Sequence, residues 1–318
     1  MNMLDFAVPS TNGTHTLAGR VYLPDTNAPI GIFHVVHGMC EHIARYDRFM
    51  RDIAALGFIV CGYDHLGHGR TVKDASELGF VAPKKGYDLL ARDVGAFSEA
   101  VRTQYGRELP YVLLGHSMGS FIVRYATARR YVTPARLIVM GTGGPNVTAV
   151  PGLAAIGLMK LFRGKRHISP FIDKLAFGAY NAHFRTENDP YSWITRDQTV
   201  RDAYRADPLC TFKFTVSAMG DLVRLSSYTN RKGWFRSFPK EIPVLLVAGT
   251  DDPVGNYGKG VRTVEARLRK AGVTVICRLY DGARHEILND ASYPDVLADI
   301  TDFITPATQI SEKEPKHP

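Results

Sequence analysis

The chain lacks any apolar run long enough to cross a bilayer, which takes roughly 18 residues or more. Its nearest approach, AVPGLAAIGLMKLF at 149–162, is interrupted by Pro151 and Lys160 and reads as a core or surface helix. The opening stretch, MNMLDFAVPSTNGT, has no basic segment followed by an apolar run, so no secretory signal is visible. Cysteine is scarce: 4 in 318 residues, at Cys40, Cys61, Cys210 and Cys277, with no CxxC pair. That argues against a disulfide scaffold, and free thiols in a cytoplasmic protein are the expectation. No histidine cluster has zinc-ligand spacing, no segment resembles a nucleic-acid module, and no internal repeat is visible.

What remains is ordinary globular composition, 45% hydrophobic and 22% charged. Short apolar runs alternate with helix-length segments. The runs are GIFHVVHG (31–38), GFIVCGYD (57–64), YVLLGHS (111–117), ARLIVMGTGG (135–144), PVLLVAGTDD (243–252) and VTVICRLYDG (273–282). Nearly continuous apolar character predicts parallel strands buried on both faces. Helices are expected at 46–56, 86–105, 118–130, 260–271 and 293–304. The fold class is therefore α/β: a mostly parallel central sheet flanked by helices. LDFAVPS and HTLAGRVYLP, near the N-terminus, read as an antiparallel hairpin at a sheet edge.

Residues 142–240 break this rhythm. They lose the strand pattern and become aromatic, basic and helical in character, with 15 Lys and Arg against 7 Asp and Glu. That excess of +8 equals the net charge of the whole chain, 39 basic against 31 acidic residues. Strand-like runs resume afterwards. The expected organisation is a core of 1–141 and 241–305, an inserted helical cap at 142–240, and a frayed polar tail at 306–318. Most of the insertion's aromatic residues are expected to form its own small core, the rest to line an apolar tunnel.

The stretch YVLLGHSMGSF (111–121) is a strand running through G-x-S-x-G into a helix. Such a turn forces its serine into a strained backbone, with the hydroxyl clear of the sheet edge. Gly115 and Gly119 allow close approach of neighbouring chain, and the N–H groups that follow open a helix. A serine needs a base to act as a nucleophile. In this topology the acid and the histidine come later, each after a strand. LLVAGTDDPVG supplies Asp251 and Asp252; YDGARHEILND supplies His285. Of the two aspartates, Asp252 stands clear of its strand, directly before a proline, and is the choice, with Asp251 the alternative. The expected constellation is Ser117 as nucleophile, His285 as base and Asp252 as the acid that orients it.

These segments resemble the α/β-hydrolase superfamily, and within it the monoacylglycerol lipase and lysophospholipase-like group with a serine-aminopeptidase type of domain. HVVHGMCEHIARY is similar to that group's HG-x-x-EH-x-x-RY segment, carried by His37, Gly38, Glu41, His42, Arg45 and Tyr46. DHLGHGRT resembles its D-x-x-GHG-x-S loop, with Thr71 in the serine's place. WITRDQTVRDAYRADPLC (193–210) is similar to a cap segment of bacterial relatives. The resemblance implies the same three catalytic residues and an oxyanion hole from the backbone N–H groups of Met39 and Met118. It implies no cofactor and no catalytic metal. His37, His42, His65, His68 and His116 are expected to shape loops, and Arg45 to pair with a nearby acid.

The implied activity is hydrolysis of carboxylic esters of monoacylglycerol, lysophospholipid or short to medium acyl chains. An amidase, aminopeptidase or acyltransferase on the same triad is the alternative, and a catalytically silent binding protein the alternative of another class. An aspartate-nucleophile hydrolase is disfavoured by serine at the elbow. MKLFRGKRH (159–167) mixes apolar and basic residues, a composition suited to peripheral contact with an anionic membrane or to a solvated face.

Overall fold

Each of the six apolar runs forms a strand, and the strands pair side by side through their backbones. The computed structural model describes residues 2–305; the tail expected at 306–318 lies outside the described residues. In chain order the strands are β1 (Asn2–Pro9), β2 (Thr16–Leu23), β3 (Gly31–Val36), β4 (Phe58–Tyr63), β5 (Tyr111–His116), β6 (Arg136–Met140), β7 (Val244–Gly249) and β8 (Val275–Tyr280). They build one sheet in the order β1-β2-β4-β3-β5-β6-β7-β8. The first two form the expected antiparallel hairpin, with Phe6 opposite Gly19, and β2 joins β4 antiparallel. All pairings from β4 through β8 are parallel.

β3, β4, β5 and β7 are buried at every position, because helices cover both faces. β8 departs from that expectation: only its first and last residues are buried, and Ile276 is 39% exposed. As the outermost strand it has one neighbour. The helices are α1 (Asp47–Ala55), α2 (Gly86–Tyr105), α3 (Met118–Ala128), α4 (Ala149–Arg163), α5 (Pro170–Phe177), α6 (Gln198–Ala206), α7 (Val216–Thr229), α8 (Lys232–Ser237), α9 (Lys259–Lys270) and α10 (Tyr293–Ile304). One core layer packs Phe97, Ile122, Val264 and Leu268 against the sheet; the other packs Phe49, Ile53, Val296 and Ile300. Each such side chain contributes about 1.5–3 kcal/mol on burial. No helix among the described residues is long and apolar enough to cross a membrane.

Between β6 and β7 the described chain forms helices α4 to α8 and short turns. Its aromatic residues do not make a substantial core of their own. The separate cluster there holds only Ile194, Tyr204 and Cys210, with Tyr191 and Trp193 packed against it. Phe214, Trp234 and Phe235 instead join the main core, and Phe162 and Phe171 are exposed. A single layer of helices laid over a sheet has an interior only on the side facing the sheet. The near-miss segment at 149–162 is accordingly a surface helix, α4, with only Ala149 and Ile156 buried.

Parallel strands bring their C-terminal ends to one edge. The loops after β3, β5, β7 and β8 carry Met39, Ser117, Asp252 and His285 respectively. The chain passes from β3 outward to β4 and then back across to β5, so a topological switch lies between β3 and β5. Crevices at such points are the usual ligand sites of open α/β sheets.

Candidate active site

Ser117 sits between β5 and α3 with φ 53° and ψ −117°, a left-handed conformation costing about 1–3 kcal/mol for a non-glycine residue. The surroundings hold it there. Its N–H donates to Met140 O at 2.9 Å, and its own carbonyl accepts from the Ser120 N–H at 2.9 Å. Gly119 permits the turn: a Cβ there would lie 2.1 Å from Val36 O. Met118 is the first residue of α3, so its N–H belongs to the first turn, where intrahelical acceptors are missing.

The loop after β3 approaches the serine closely. A Cβ on Gly38 would lie 3.0 Å from the Ser117 Cβ, which places the following Met39 beside the elbow. Both Met39 and Met118 line the same cavity as Ser117 and His285.

Asp252 is fully buried and accepts from His285 Nδ1 at 3.0 Å and from the Val254 N–H at 2.9 Å, both on Oδ1. Asp251, only half-buried, does not make this bond. Because an ionised carboxylate only accepts, His285 carries its proton on Nδ1, leaving Nε2 as the basic nitrogen. The His285 ring lies 4.9 Å from the ring of His116, the residue before Ser117, and 5.1 Å from that of Trp193. The cavity is about 810 Å³. Phe121, Ile156, Ile172, Phe177, Met219 and Leu222 are among its apolar lining residues.

Behind the cavity lies a buried polar network joining the β3 loop to the histidine loop. Glu41 accepts from the Gly38 N–H, from Tyr46 OH at 2.8 Å and from Arg45 Nη1 at 3.1 Å, and contacts His116 Nδ1 at 3.2 Å. Arg45 also donates in bidentate fashion to Glu286, at 2.6 and 2.8 Å. Burial opposes the Glu41 carboxylate, but the His116 and Arg45 partners outweigh it and hold the group well below the usual carboxylate range. Burial likewise opposes the charged form of His116, and Glu41 outweighs it, so the imidazole pKa is raised. His116 thus bridges two loops: its Nδ1 faces Tyr46 OH at 2.7 Å and Glu41, and its Nε2 faces the His285 carbonyl at 3.3 Å. The expected acid partner of Arg45 is therefore two acids, one 241 positions away.

The other histidines of these motifs serve the loops. His37 Nδ1 donates to Gly38 O at 2.8 Å while its Nε2 accepts the His65 N–H at 3.1 Å; His65 Nε2 donates to His37 O at 3.1 Å. Burial pushes His37 down to about 3 and His68 to about 4, so these rings are neutral. His42 stands apart, against Asp207 at 2.8 Å.

The insertion is stitched to the histidine loop. The N–H groups of His285 and Glu286 donate to Trp193 O and Ile194 O at 3.4 and 2.7 Å. Arg284 pairs with Glu187 and donates to Ser192 O at 2.6 Å; Arg196 pairs with Asp290 at 2.5 Å. Sequence reasoning missed these links and the His116 bridge. The only signal was local: charged residues at fixed spacing inside otherwise apolar motifs.

Comparison with known proteins identifies the family. The family described as Hydrolase_4: Serine aminopeptidase, S33, matches residues 27–292. A monoacylglycerol lipase of Mycolicibacterium smegmatis is 30% identical over 315 residues, covering 93% of this chain and 98% of the relative. The human monoglyceride lipase is 27% identical over 266 residues, 83% of this chain and 78% of that protein. Among solved structures, a thermostable carboxyl esterase from Bacillus coagulans, in complex with glycerol, superposes with TM-score 0.89 at 31% identity, covering 96% of this chain and 98% of that one.

Proposed function

The chain belongs to the Hydrolase_4 family, serine aminopeptidase S33, and from that premise we propose that it is a serine hydrolase of carboxylic esters, acting on monoacylglycerol, lysophospholipid or short to medium acyl esters. The observation that carries this reading is the buried Asp252–His285 bond at 3.0 Å beside a strained Ser117, on a largely apolar cavity. Similarity to monoacylglycerol lipases and to a carboxyl esterase supports the ester class.

In this mechanism Ser117 Oγ attacks the ester carbonyl carbon as His285 Nε2 takes its proton. Asp252 holds the imidazole in register and stabilises the imidazolium. Negative charge gathers on the former carbonyl oxygen, where the N–H groups of Met39 and Met118 receive it; fixed donors of this kind are worth about 10²–10³ in rate each. The carbon–oxygen bond to the alcohol breaks, and the alcohol leaves with the proton from His285. Water, deprotonated by His285, then attacks the acyl-enzyme, and the fatty acid departs as Ser117 regains its proton.

Ester rather than peptide chemistry is favoured by the state of the lining acids. An aminopeptidase needs a free carboxylate to hold the substrate amine. Glu41 and Glu286 are engaged by Arg45, and Asp173 by Lys213 at 3.0 Å. Residues 142–240 act as a cap over the cavity in this reading. Its α4 and α5 expose Val150, Leu158, Leu161, Phe162, Phe171 and Leu175, close in sequence to Arg163, Lys165, Arg166 and Lys174. Apolar side chains flanked by cations suit the surface of an anionic bilayer, from which single-chain lipid enters the cavity.

A fluorophosphonate probe should label the folded protein at Ser117 and not Ser117→Ala. A panel of p-nitrophenyl esters, monoacylglycerol, lysophosphatidylcholine and aminoacyl anilides should show esters hydrolysed fastest. Absence of labelling, or preference for the anilides, would sink the reading. The membrane contact predicts salt-sensitive co-sedimentation with phosphatidylserine vesicles that is lost in Leu161→Asp/Phe162→Asp; equal binding by both proteins would refute it.

A further inference from the structure

His42 stands one residue beyond the network that ties Glu41 to His116, and it faces the insertion rather than the serine. It begins the short 3-10 turn Ile43–Tyr46, three positions after Met39. Opposite it, Asp207 ends α6, and the Cys210 N–H donates back to Asp207 O at 3.0 Å. This one turn presents a carboxylate and a thiol at i and i+3, the ligand spacing that zinc knuckles achieve with paired cysteines.

His42 Nε2, an Asp207 carboxylate oxygen and Cys210 Sγ all lie within 4.8 Å of one another. Ligand atoms around a tetrahedral zinc ion are roughly 3.3–3.8 Å apart, given bond lengths of about 2.0–2.3 Å, so small side-chain rotations suffice. Access exists from the Asp207 side, which is 30% exposed, while Cys210 is buried and lines the cavity. Burial most opposes the Cys210 thiolate; of the nearby charges Arg45 favours it most, with Asp207, Glu41 and Glu286 acting the other way, so the coordinating cation itself must stabilise the thiolate.

We propose that His42, Asp207 and Cys210 form a binding site for one thiophilic divalent cation of the zinc class, with water as the fourth ligand. The balance is simple. Cys210 gives up its thiol proton to solvent and binds as thiolate. Neutral His42 binds through the Nε2 lone pair, with its proton on Nδ1, and the His42–Asp207 hydrogen bond is exchanged for two metal bonds. The ion plays no part in ester cleavage; it joins the loop carrying Met39 to the insertion.

The test is a titration of reduced, metal-free full-length protein with Cd²⁺, following the near-ultraviolet thiolate-to-metal absorption, with equilibrium dialysis of Zn²⁺ alongside. One equivalent should bind and the thermal midpoint should rise. Cys210→Ser should lose the absorption band. Asp207→Asn should weaken binding by more than about tenfold, since even outer-shell partners of metal ligands contribute 10–100-fold. Cys277→Ser, on β8 far along the sheet, should behave as the parent. If Cys210→Ser fails to fold, Asp207→Asn and the cation-dependent melting of the parent remain as independent arms. The proposal is overturned if saturating Cd²⁺ gives no band, or if the band survives in Cys210→Ser or is lost instead in Cys277→Ser or Cys40→Ser.

Discussion

Replacing Arg45 with methionine removes one guanidinium from between two buried carboxylates. Three charged hydrogen bonds go with it: two to Glu286, at 2.6 and 2.8 Å, and one to Glu41 at 3.1 Å. The two acids are not equally affected. Glu41 keeps the Gly38 N–H, Tyr46 OH and His116. Glu286, 7% exposed, keeps Asn289 Nδ2 at 3.0 Å. The uncompensated charge therefore falls on Glu286. Breaking a buried ion pair from one side costs about 3–5 kcal/mol, a large part of the 5–15 kcal/mol typical of a folded domain. Urea unfolding followed by the fluorescence of Trp193 and Trp234 measures it. Adding Glu286→Gln removes the stranded charge, so the double variant should be more stable than Arg45→Met alone, a coupling that a double-mutant cycle isolates. Turnover of p-nitrophenyl butyrate should fall in Arg45→Met by up to about 10², mostly in kcat, since small misplacements of reacting groups cost that much. The reasoning fails if Arg45→Met loses less than about 1 kcal/mol, or if Glu286→Gln destabilises it further.

Asp252→Asn should lower kcat by about 10⁴ while leaving ester binding intact, because the amide no longer selects the Nδ1–H tautomer; steady-state kinetics on a soluble ester check it, and a loss below tenfold would contradict the assigned role. Asp221, on α7 against the first N–H groups of α2, is pushed from 3.8 up to about 6, chiefly by burial. The folded state thus holds this proton after the unfolded chain has lost it, so stability falls as pH rises from about 4 to 6. The full penalty, about 3 kcal/mol, is present above pH 6. Asp221→Asn should therefore be more stable than the parent at pH 7.5, with the difference shrinking towards pH 4 in urea titrations at each pH; a constant difference would refute this. Gly119→Ala should abolish activity and soluble expression together, since its methyl would overlap Val36 O; an active, folded variant would show that the elbow has room.

The sheet was readable because strands buried on both faces leave unbroken apolar runs, as in β3, β5 and β7. The hairpin of β1 and β2 showed through its weaker pattern. β8 was read as fully covered because VTVICRLY is apolar enough for an inner strand; composition does not reveal which strand comes last. The order serine, aspartate, histidine, each after a strand, was legible because the chain direction brings those loops to one edge. The Asp252–His285 bond favours Asp252 over Asp251, a choice that sequence position alone supported weakly. The Arg45–Glu286 clamp, the His116 bridge and the His42–Asp207 pair were not legible. Each joins residues 75 to 241 positions apart, and their partners are set by how the loops fold back. The aromatic residues of the insertion were assigned to a core of its own because counting cannot say which side of a one-layer sheath they face.

The bonds from His285 and Glu286 to Trp193 and Ile194, with the Arg284–Glu187 clasp, fasten one half of the insertion to the loop that carries His285, the proton acceptor of the proposed mechanism. Swinging that half outward would drag the imidazole from its aspartate and disarm the enzyme while admitting its substrate. Under the proposed mechanism entry is therefore expected at the other half, where α4 packs on α7 and α5 on α4. A tether linking α4 to α2 should block large substrates and spare small soluble ones.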